Sequence, residues 1–68
     1  MEITINFERN ETNFIFSTKE RDFVLYHKEK RFSLCENGIL VKIFAGNLTL
    51  IEATCQAMIF LQGELAKN

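Results

Sequence analysis

The side chains in this sequence best suited to chemistry are few: one histidine, His27, and two cysteines, Cys35 and Cys55. Together they could supply three metal ligands. Structural zinc sites, however, take their ligands from closely spaced Cys and His pairs, and these three residues fit none of those patterns. A cysteine nucleophile needs a base and an electropositive setting, and His27 beside Cys35 on neighbouring strands is the single pairing of that kind. The simpler reading is two small buried thiols and a histidine at a strand end. Glu2, Glu8, Glu11 and Glu36 fall at strand ends and turns, where solvated carboxylates belong. Neither a phosphate-cradling glycine loop nor a GxSxG nucleophile turn occurs. The expectation is therefore a protein that is not an enzyme, with no catalytic residue, no metal and no cofactor.

Basic residues form the next candidate group. Lys19, Arg21, Lys28, Lys30 and Arg31 fall in one short segment, and aromatic groups such as Tyr26 and Phe44 could stack on single-stranded bases. Glu20, Asp22 and Glu29 interleave with them, and the formal net charge of −1 supplies no overall attraction for nucleic acid. Nucleic-acid binding is thus an alternative and not the main expectation.

These groups must be held by a small scaffold. Sixty-eight residues make a single domain, near the size at which one core only just offsets the entropy of folding. Seven phenylalanines and a 47% hydrophobic content exclude disorder. No apolar run is long enough to span a bilayer, and no apolar segment follows a basic lead as in a signal peptide. A cytoplasmic protein with free thiols and no membrane contact is expected.

The hydrophobic pattern predicts an α+β fold, a meander of four or five antiparallel strands followed by one C-terminal helix on one face. Glu2 to Glu8 alternates apolar and polar residues, as a half-buried strand does. Arg9 to Thr12 reads as a turn, and Asn13 to Ser17 as a second strand. The run Phe23 to His27 is rich in β-branched and aromatic residues and reads as a third strand. Ser17 and Glu20 would also fit a capping box opening a helix over 18–30, but consecutive apolar residues do not make a helical stripe. Arg31 to Glu36 and Ile39 to Phe44 flank Asn37-Gly38, a strong type I′ hairpin signal. A regular hairpin there pairs Phe32 with Ile43 and Leu34 with Val41 under the helix, and leaves Cys35, Leu40 and Phe44 on the other face.

Thr49 and Glu52 match a capping box, so the helix is expected over 49–67. Its sheet-facing stripe is read as Leu50, Ile51, Met58, Leu61 and Leu65, with Ile59 and Phe60 on opposite flanks. One helix cannot cover both faces of such a sheet. A large exposed apolar patch on a small protein marks a binding surface, so the chain is expected to act as a protein-interaction module of accessory, regulatory or inhibitor type. Its contact residues would be Tyr26, Leu40, Phe44, Ile59 and Phe60, and its partner a second copy in a homodimer or another protein. An apolar ligand pocket on the same face is a further alternative.

Overall fold

The computed structural model describes residues 4–10 and 13–66. It is an α+β fold in which five antiparallel strands, β1 (Asn6–Asn10), β2 (Asn13–Ser17), β3 (Asp22–Lys28), β4 (Arg31–Glu36) and β5 (Ile39–Phe44), form a sheet in sequence order. Helix α1 (Leu50–Leu65) follows and packs on one face. The segment 18–30 is therefore turn and strand, and not the alternative helix. Asn10 pairs with Asn13, so Arg9 and Asn10 belong to β1 and not to a turn. The expected turn residues 11–12, the first residues of the expected first strand, 2–3, and the last residue of the expected helix, 67, lie outside the described residues.

Turn chemistry sets the strand ends. Asn37 and Gly38 adopt φ of 52° and 80°, as a type I′ turn requires. Glu29 and Lys30 do the same at 54° and 60°, although neither is a residue that favours this region. Thr18 closes the β2–β3 connection: its hydroxyl accepts from the Arg21 backbone N–H at 3.0 Å, and its own N–H donates to the Arg21 carbonyl at 2.8 Å.

Pairing puts Phe7, Phe14, Phe16, Phe23, Leu25, Phe32, Leu34 and Phe44 on the helix side, since directly opposed residues share a face. The last of these corrects the expected register. Glu36 faces Ile39 and Cys35 faces Leu40 as a regular hairpin demands, but a bulge then leaves Val41 without a mate, and Leu34 faces Lys42, Ser33 faces Ile43 and Phe32 faces Phe44. A slip of one residue exchanges the faces. Phe44 is consequently buried at 6% exposure, whereas Ile43, expected in the core, is 53% exposed. The exchange places the larger ring beneath the helix, beside Phe32.

The helix begins as expected. Thr49 Oγ1 accepts from the Glu52 N–H at 3.1 Å, and the Thr49 N–H donates to Glu52 Oε1 at 2.9 Å. Its buried line is Ala53, Ala57 and Leu61, with Met58, Phe60 and Leu65 partly buried against the core. The expected stripe is corrected at its N-terminal end, where Ile51 is 77% exposed and Leu50 37% exposed. The reason is steric. A sheet face carrying so many phenyl rings lets a helix backbone approach only where its side chains are small, and Ala53 and Ala57, one turn apart, provide that line.

Candidate interaction surface

Among the described residues, no element packs on the reverse face of the sheet. Its central row runs across the strands as Glu8, Ile15, Val24, Cys35 and Leu40, each paired with the next. A second row sets Tyr26 opposite Ser33 and Ser33 opposite Ile43. Leu40, Ile43 and Tyr26 are exposed; Ile15, Val24 and Cys35, flanked by strands on both sides, are half-buried. Polar rows bound the apolar ones. Asn6, Ser17 and Asp22 lie toward the β2–β3 turn, and Lys28 and Arg31 toward the β3–β4 turn.

Of the expected contact residues, the structure places Tyr26 and Leu40 together on this face. Phe44 is removed from it by the β5 bulge. Phe60 is corrected as well: it lies partly buried, its ring meeting that of Phe44 edge-on, with Lys42 Nζ 5.5 Å from its centroid. Ile59 is 68% exposed and stands on the outer side of the helix with Ile51 and Cys55, a separate apolar stripe at four-residue spacing. Ile43 was missed because its place on this face depends on the bulge. The one hint in the sequence was the run ILVKIF, whose apolar residues are too continuous for a two-sided alternation.

The groups considered for chemistry are separated. His27 stacks flat on Phe32 on the helix side, centroids 4.1 Å apart, whereas Cys35 sits between Val24 and Leu40 on the reverse face. The sheet itself stands between them. Cys55 is an exposed free thiol on the helix. Among the described residues no group of three or more His, Cys, Asp or Glu could hold a metal ion.

The basic residues are likewise divided. Lys19 and Arg21 precede β3, and Lys28, Lys30 and Arg31 surround the turn that follows it. Arg21 is committed to Glu36: Nε donates to Oε2 at 2.6 Å and the second nitrogen to Oε1 at 2.7 Å, with the guanidinium 4.9 Å from the Phe23 ring centroid. These hydrogen bonds hold the Glu36 carboxyl below its ordinary pKa and raise that of Arg21. The five cations thus form no continuous patch with Tyr26, and Phe44 is not available to stack on a base. No helix of the described residues is long and apolar enough to cross a membrane.

Compared with models of protein families, with curated proteins and with solved structures, the chain finds no match.

Proposed function

We propose that this protein is a small non-enzymatic interaction module that works by presenting the reverse face of its sheet to another protein surface. The observation that supports this reading is the apolar row Ile15, Val24, Cys35 and Leu40, extended by Tyr26 and Ile43, over which no element of the described residues packs. Isolated exposed apolar residues are ordinary, but a contiguous set on one rigid face is not. Sheet and helix hold these side chains in place before any partner arrives, so little further entropy is lost on binding. Tyr26 and Leu40 are the expected anchors, and Phe44 is replaced in that role by Ile43. The cytoplasm remains the expected compartment, on the strength of the free thiols.

The test uses immobilised wild-type chain and its Leu40→Lys variant in extracts of the native cells, with each chain's fold checked by circular dichroism and denaturant midpoint. Leu40 is exposed, so the variant is expected to fold with an unchanged midpoint and to lose proteins that the wild type retains. Equal retention by both chains would remove the reading. An unfolded Leu40→Lys chain would mean that this face is core, and removes it too.

A further inference from the structure

The charges bounding the reverse face are distributed unequally. Lys28 and Arg31 oppose each other across β3 and β4 at one end, and Asp22, paired with Ser17, stands at the other. All three are exposed, and among the described residues none has an ion-pair partner within the chain. Asp22 and Lys28 lie on the same strand, six residues apart, or roughly 20 Å at ~3.3 Å per residue. Val24 and Tyr26 lie between them on the same face. Along β3 the face thus reads acidic, apolar, apolar, basic.

Such a sequence is complementary to itself when reversed. We propose that the occupant of the face is a second copy of this chain, related by a twofold axis that lies across the strands and passes near Leu25. Each β3 then runs antiparallel over the other, with Lys28 and Arg31 of one protomer over the partner's Asp22 and Val24 over the partner's Tyr26. Leu40 and Ile43 exchange places in the same way on β5. Sheets packed face to face keep their strands within about 30° of alignment, so the end-to-end match survives their twist. A twofold axis along the strands would bring the basic end of one protomer onto the basic end of its partner, and like charges face to face disfavour that arrangement. The charge pattern therefore selects one of the two symmetric ways in which the apolar rows could pack.

This inference rests on the reading of the reverse face as an interaction surface, and its test separates the two. Sedimentation at ~1–100 µM and low ionic strength is measured for the wild type, Asp22→Lys, Lys28→Glu, the two variants mixed, and Leu40→Lys. The expected result is a wild-type dimer weakened about tenfold or more by either charge reversal, since each alone opposes like charges. Mixing the two variants restores association. In the heterodimer the two substituted side chains, now of opposite sign, meet at one end, and the native Asp22 and Lys28 meet at the other. A wild type that stays monomeric throughout overturns the second copy as occupant, while Leu40-dependent retention of a different protein would leave the functional reading standing. Dimers that ignore both charge reversals but dissociate with Leu40→Lys overturn the antiparallel arrangement alone. Dimers indifferent to all the substitutions overturn both.

Discussion

Phe44 meets Phe60 edge to face, with ring centroids 6.4 Å apart and planes at 87°. This contact joins the last strand to the helix and exists only because the β5 bulge turns Phe44 inward. Phe44→Ala should therefore cost about 3–5 kcal/mol, as for a buried ring. Ile43→Ala, one residue away on the open side, should cost less than about 1 kcal/mol. Chemical denaturation of the two variants decides the matter: a regular hairpin would reverse their order.

Ala57 is fully buried on the sheet-facing line of the helix, with Ala53 and Leu61. Ala57→Leu adds volume that this line cannot accept, and a loss of about 1–3 kcal/mol is expected in the same measurement. The same change at Ile59, which is exposed, should leave stability nearly unaltered. A cost at 59 equal to that at 57 would contradict this rotation of the helix.

The Arg21–Glu36 pair makes stability depend on acid. The Glu36 carboxyl is held below its ordinary value of 4.5 in the folded chain, so its contribution is fully present above that pH and is lost as pH falls through the folded value. For so exposed a pair the contribution is about 0.2–1 kcal/mol. Glu36→Gln should flatten the fall in denaturation midpoint between neutral pH and about pH 3. Glu52, whose carboxyl is lowered by its hydrogen bonds with Thr49, adds to the same slope and should persist in the variant.

Two glycines should respond in opposite directions to alanine. A Cβ at Gly46 would overlap the backbone carbonyl of Lys30, where the loop before the helix passes the β3–β4 turn. Gly46→Ala is expected to destabilise, because backbone must move. At Gly63, within the helix, an added Cβ meets nothing, so Gly63→Ala should stabilise by about 0.5–1 kcal/mol. Thermal melts of the two variants are sufficient to check the contrast.

The elements of the fold were legible because each carried a local signal. Asn37-Gly38 marks its hairpin, Thr49 with Glu52 marks the helix start, and alternating phenylalanines mark β2. What stayed hidden was decided between elements. The pairing of Phe32 with Phe44 over Phe32 with Ile43 follows from which ring fits under the helix, and the continuous apolar run of β5 hints at an irregularity without fixing where it falls. The rotation of the helix similarly depends on the bulk of the sheet, so counting apolar residues favoured Ile51 over Ala53. For the candidate surface the same limit applied: Tyr26 and Leu40 follow from alternation, whereas Ile43 required the bulge.

The bulge also governs what the rim of the sheet can do. β5 is an outermost strand, and ILVKIF is the kind of six-residue segment, rich in β-forming apolar residues, that templates the addition of further strands and fibril growth. Its only charge, Lys42, is turned toward the helix side, and the irregular spacing at Val41 breaks the straight row of backbone donors and acceptors that an incoming strand would need. Lys42 then acts as a gatekeeper against edge-to-edge growth. Lys42→Val should leave the native fold able to form yet produce thioflavin-positive fibres during prolonged incubation, and a variant that stays clear would place the protection in the bulge alone.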